Sequence, residues 1–93
     1  MHLDNKKNIG SIIYKYLSED PLYSDSIPKH FDENFKLVES GALDSIGIFN
    51  LILFLESEFN IKIGIEELSE EYFGSLAKLE KFVELKIKNN AGQ

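Results

Sequence analysis

Leu43-Asp44-Ser45-Ile46-Gly47-Ile48-Phe49-Asn50-Leu51-Ile52-Leu53-Phe54-Leu55-Glu56-Ser57-Glu58-Phe59-Asn60 contains no proline and a single glycine. Asp44 can accept hydrogen bonds from the unpaired amides of a first helical turn, so the stretch predicts a helix over 45–59 that Asn60 ends. Gly47 inside it costs about 1 kcal/mol relative to alanine. At 3.6 residues per turn, Ile48, Leu51, Ile52, Leu55 and Phe59 share one sector, the stripe that a helix turns toward a core. Ile46, Phe49 and Leu53 fall on roughly the opposite side, beside Asn50, Glu56 and Ser57. A helix on the rim of a small bundle needs one apolar face, and this one has two. Either the chain ahead of it folds over the second face, or that face docks a partner.

Upstream, Asp4 precedes Ile9, Ile12, Ile13, Tyr16 and Leu17, which recur at three- and four-residue spacing, while Lys6, Lys7 and Lys15 lie mostly off that stripe. This predicts helix one over about 4–19, stopped by Pro21, because proline disfavours helical geometry in the residue before it. Residues 20–43 carry Pro21, Pro28 and Gly41 among scattered apolar side chains without a period, and read as a long ordered loop packed by its own side chains, part of it free to form a helical turn. Downstream, Ile61, Ile63 and Ile65 alternate with Lys62 and Gly64. A lone strand has no pairing partner, so an extended connection inserting isoleucines into the core is expected. Ser69 is expected to cap a short helix over about 69–73. Ser75 starts a last helix over about 75–88, with Leu76, Leu79, Phe82, Val83 and Ile87 on one face and residues 89–93 as a frayed tail. The sum is an all-α, small four-helix bundle, three longer helices and one short, with a long loop between helices one and two, forming one domain over 1–93.

Ninety-three residues, with seven Phe and four Tyr, suffice for one modest core. The net charge of −6 removes the electrostatic attraction on which nucleic-acid binding depends, so no nucleic-acid partner is expected. The charge is segregated: residues 39–71 hold eight acids against the single base Lys62, which can steer a basic partner to that side. No cysteine is present, so disulfides, thiolate metal sites and protein thiol nucleophiles are excluded. There is no membrane span and no secretory signal in the basic start, Met1 to Lys7, so a cytoplasmic monomer is expected. His2 and His30 are the only imidazoles and stand near no nucleophile; no metal-ligand cluster appears, and Glu66, Glu67, Glu70 and Glu71 lack the spacing of a calcium loop. Neither catalytic residues nor a metal site are therefore expected, and the chain is not read as an enzyme.

Ser45 sits in the first turn of the central helix, where unpaired amides and the positive end of the dipole favour an attached phosphate, although serine and aspartate at such a position are usually only caps. The stretch from Leu37 to Gly47, followed by Leu53-Phe54-Leu55-Glu56-Ser57-Glu58-Phe59 and continuing through Ile63, Glu67, Phe73, Ser75-Leu76 and Phe82-Val83, resembles the acyl carrier protein family. In that family an Asp-Ser-Leu motif bears a 4′-phosphopantetheine arm; Asp44 and Ser45 match it, and Ile46 replaces the leucine.

The resemblance implies that Ser45 Oγ accepts the arm from coenzyme A through a phosphopantetheinyl transferase, with Asp44 contributing to its recognition, and that the arm's thiol carries acyl groups as thioesters. It further implies docking through Ile46, Phe49, Asn50 and Leu53, with Glu56 and Glu66 meeting basic residues on the partner. The implied partners are an acyl- or aminoacyl-activating ligase and downstream acyl-transferring enzymes of fatty-acid, polyketide or related biosynthesis. Gly47 and Asn50 stand where fatty-acid carriers usually have acids. Ser-Gly-Ala-Leu-Asp-Ser-Ile-Gly is similar instead to discrete carriers served by stand-alone ligases, D-alanyl carriers among them. An aminoacyl or D-alanyl carrier is therefore the nearest alternative, and an unmodified helical interaction module is an alternative of another class. Phe54, Phe59 and Phe73 are expected to leave little room for a long cargo inside the bundle.

Overall fold

A computed structural model describes residues 5–91, and among them four α-helices follow one another with no strand: α1 (Asn5–Glu19), α2 (Ser45–Phe59), α3 (Glu70–Phe73) and α4 (Leu76–Ala91). Single 3-10 turns stand at Pro21–Tyr23 and Ile65–Glu67. The expected opening at Asp4, and Gly92 and Gln93 of the tail, lie outside the described residues.

The core forms where the apolar stripes meet. Ile9, Ile13 and Leu17 recur every four residues along one face of α1 and are fully buried, and α1 packs most extensively on α4, which contributes Leu79, Phe82 and Val83. Leu51 and Leu55 of α2 complete the same cluster.

The long loop is ordered by its own side chains, as expected, with Tyr23, Ile27, Phe31, Leu37, Ala42 and Leu43 all in the core. Asp20 begins it by accepting from the Leu22 amide at 2.9 Å, which caps the 3-10 turn behind Pro21. Phe31 stacks on Tyr14 of α1 with ring centroids 4.9 Å apart. Leu37 N donates to Gly74 O at 2.8 Å, and Glu33 O accepts from Ala77 N at 3.0 Å, so the loop is tied to the junction of α3 and α4. Gly41, at φ +86°, takes the left-handed conformation that glycine adopts without steric cost. Leu43 N then closes the loop by donating to Leu37 O at 2.9 Å. None of this covers the second apolar face of α2: Ile46 is 63%, Phe49 60% and Leu53 48% exposed.

Three local expectations are corrected. Of the isoleucines after α2, Ile61 is buried and Ile63 half-buried, but Ile65 is 85% exposed. The extended run stops at Gly64, whose amide donates to Glu67 Oε1 at 2.9 Å, and Lys86 Nζ holds the same carboxylate at 3.0 Å. The 3-10 turn closed in this way throws Ile65 outward. Ser69 stands before α3 but makes no side-chain cap; its carbonyl accepts from Tyr72 N and Phe73 N instead. The last helix spans Leu76–Ala91 rather than ending near 88, because nothing among Asn89, Asn90 and Ala91 breaks it before Gly92. Ser75 does cap α4, its Oγ accepting from Lys78 N at 3.2 Å.

Candidate functional site

Ser45 is the first residue of α2, and its side chain is exposed. Asp44 ahead of it is extended, its Oδ1 accepts from Gly47 N at 2.8 Å, and its carbonyl accepts from Ile48 N at 2.8 Å as the first helical bond. The amides of Ser45 and Ile46 precede that bond and have no intrahelical acceptor, which makes this turn favourable for an anionic substituent.

Gly47 is held on both sides of its peptide. Asp44 takes its amide, and the buried Tyr23 phenol donates to its carbonyl at 2.8 Å. Tyr23 has one proton and gives it to Gly47, so the 3.2 Å contact with Tyr16 Oη is a bond that Tyr16 donates. Burial pushes the Tyr23 phenol far above its ordinary range and keeps it a donor. A Cβ at position 47 would lie 3.2 Å from Tyr23 Cε1 and 3.3 Å from Asp44 Oδ1, tighter than ordinary contact. The glycine that weakens the helix locally is therefore where the tyrosine ring seats.

A groove of about 560 Å³ runs along α2 from Ser45 to Glu56, about 16 Å of helix at 1.5 Å per residue. Val38, Ile48, Ile52 and Phe73 are its more buried walls; Phe49 and Leu53 line it from α2, and Ile63, Ile65 and Leu68 from the segment that follows. Phe54 points elsewhere, stacked on Tyr16 at 4.0 Å. Of Phe54, Phe59 and Phe73, Phe73 alone lines this space, which lies open beside Ser45.

Of the residues singled out in the sequence, the groove brings together Ser45, Phe49, Leu53 and Glu56. Ile46 is exposed in the first turn, and Asn50 Nδ2 donates back to its carbonyl at 2.9 Å. Glu56 is half-buried, and its Oε2 accepts from Ile63 N at 2.9 Å, so it also anchors the segment after α2. Glu66 is exposed. Glu67 is engaged internally: the Gly64 amide first, and then Lys86, hold its carboxyl below the usual range against the opposing effect of burial. The sequence reading missed Ile65 and Leu68, 85% and 40% exposed, which extend the apolar surface across the groove. Their three-residue spacing, one 3-10 turn, was the available signal. Among the described residues no group of three or more metal-ligating side chains converges, and no helix is long and apolar enough to cross a membrane.

A four-helix bundle that presents one exposed serine at the capped start of its second helix, beside an apolar groove, has the form of a small carrier domain. No family model matches the chain. It is 37% identical over 65 residues, 70% of this chain and 80% of each relative, to the D-alanyl carrier proteins of Streptococcus pyogenes serotype M5 (strain Manfredo), serotype M49 (strain NZ131) and serotype M1. The chain belongs to this family of small carrier proteins.

Proposed function

We propose that the chain is a non-catalytic carrier which bears a 4′-phosphopantetheine arm on Ser45 and carries an aminoacyl group, D-alanyl as in the names of its relatives. The observation that carries this reading is the exposed Ser45 hydroxyl, which makes no hydrogen bond among the described residues and opens onto the groove. The arm fits there. Ser45 Oγ would hold its phosphate beside the first-turn amides, and the groove walls from Ile48 to Leu68 offer apolar contact along its length. When bound, the arm supplies the thiol that a chain without cysteine lacks. The chain's own residues supply the rest: Asp44 shapes the turn, and Ile46, Phe49 and Leu53, now joined by Ile65 and Leu68, offer an apolar docking centre with Glu66 at its rim. A phosphopantetheinyl transferase, a stand-alone adenylating ligase and a downstream acyl-transferring enzyme are the partners proposed, with the carrier a cytoplasmic monomer. Such partners bind briefly, and a small apolar centre with steering charge suits that.

The groove's apolar lining favours a second cargo, a fatty or polyketide acyl chain. Incubation with coenzyme A and a broad-specificity transferase is expected to add one arm to the intact mass, and Ser45→Ala to abolish it. Mass spectrometry of protein from its native cell, with thioesters preserved, separates the two cargoes. An unchanged wild-type mass with several competent transferases sinks the carrier reading and leaves an unmodified interaction module.

A further inference from the structure

The buried bond from Tyr23 to Gly47 links the loop to the turn that carries Ser45, across 24 residues of sequence. We propose that Tyr23 is a positioning residue for Ser45: it clamps the Gly47 peptide and so fixes the turn on which the serine hydroxyl stands. The proposal rests on the reading of Ser45 as the attachment site.

Four observations carry it. The Gly47 amide and carbonyl are both gripped by side chains from outside the helix, Asp44 at 2.8 Å and Tyr23 at 2.8 Å. The outer side of the same turn is bare, with Ile46 and Phe49 exposed, so the inner contacts are what oppose its fraying. Tyr23 is itself immobilised: its amide donates to Asp20 O at 3.0 Å, its carbonyl accepts from Ser26 N and Ile27 N, and its ring is buried edge-on to Tyr16. Tyr16 in turn is stacked on Phe54 of α2, five degrees from parallel. Loop, α1 and α2 thus converge on one phenol. The ring also accounts for the glycine: any side chain at 47 would meet Tyr23 Cε1.

The test compares arm transfer from coenzyme A to wild type, Tyr23→Phe, Tyr16→Phe and Gly47→Ala. Misplacing a reacting group by about 1 Å can lower a rate about a hundredfold, and a turn loosened rather than moved is expected to lower kcat about tenfold in Tyr23→Phe, with KM for the carrier unchanged because the docking side chains are intact. Gly47→Ala, which displaces the ring while keeping the phenol, is expected to do the same, and the variant combining Tyr23→Phe with Gly47→Ala to be no slower than the slower single. Tyr16→Phe keeps the clamp and is expected to match wild type. Amide exchange at Ile48, measured on the unmodified proteins, is expected to quicken in Tyr23→Phe. Transfer at the wild-type kcat in folded Tyr23→Phe overturns the proposal, even if Ile48 exchanges faster. A wild type that takes no arm sinks the carrier reading instead; the exchange measurement then judges the clamp alone, and unchanged exchange overturns it.

Discussion

Phe49→Ala and Leu51→Ala, two residues apart on α2, should part company completely. Leu51 is 0% exposed in the middle of the core, where leucine-to-alanine changes cost about 2 to 5 kcal/mol through lost burial and the cavity left behind. Phe49 is 60% exposed. Full burial of such a side chain is worth about 1.5 to 3 kcal/mol, so the buried part of Phe49 contributes about 1 kcal/mol, and alanine's better helix propensity returns about half of that. For a domain of this size about 1 kcal/mol moves Tm by about 4 to 8 °C. Phe49→Ala is therefore expected to shift Tm by under about 5 °C, and Leu51→Ala to lower it by about 10 °C or more. Urea and thermal unfolding followed by far-ultraviolet circular dichroism give both numbers. On the same samples, transferase kinetics are expected to show KM for Phe49→Ala raised about tenfold, the size of one modest interface contact, with kcat held. Leu53→Asp, at a position 48% exposed, should behave like Phe49→Ala. A loss of more than about 2 kcal/mol in Phe49→Ala would place the ring in the core and refute the reasoning; unchanged KM values in both variants would remove the docking role.

Two carboxylates make opposite predictions for acid. Glu67 is held below its ordinary 4.5 by the Gly64 amide and Lys86; its contribution is complete above 4.5 and is lost as pH falls through the lower folded value. Glu67→Gln is therefore expected to be less stable than wild type at pH 7 and to lose less of its stability on acidification below 4.5, and parallel curves of midpoint against pH would contradict this. Glu80 lies over Gly10 of α1, and burial first, then Glu84 and Glu33, raise its carboxyl above 4.5. The native state holds that proton more tightly, so stability falls as pH rises from 4.5 through the folded value. Glu80→Gln should have the higher urea midpoint at pH 7 and an advantage that shrinks toward pH 4, and a midpoint at or below wild type at pH 7 would refute it.

Much of the candidate site was legible because its signals are local. Asp44 caps within its own turn, the periods of α1 and α2 are read along a single helix, and the resemblance runs through contiguous residues. The two apolar faces of α2 were also visible, although whether the loop covered the second was not: that depended on Phe31 finding Tyr14 and Leu37 finding Gly74. Ile65 was misplaced for a similar reason. Alternation from Ile61 looks like insertion into a core until Lys86, 19 residues on, holds Glu67 and closes the turn at Gly64. Glu56 and Glu67 read as surface acids, since nothing in a count of charges says which carboxylate accepts a backbone amide.

The amino-acid sequence by itself determined the all-α class, the start of α2 at Asp44-Ser45 and the location of the negative charge, because caps, periodicity and net charge are properties of neighbours along the chain. Only the tertiary structure decided that the Ile46, Phe49 and Leu53 face stays open, that Ile65 and Leu68 join it across a groove, and that Tyr23 packs against Gly47. Those are contacts between segments 20 or so residues apart, settled by which surfaces meet when the core closes, and local propensity carries no record of them.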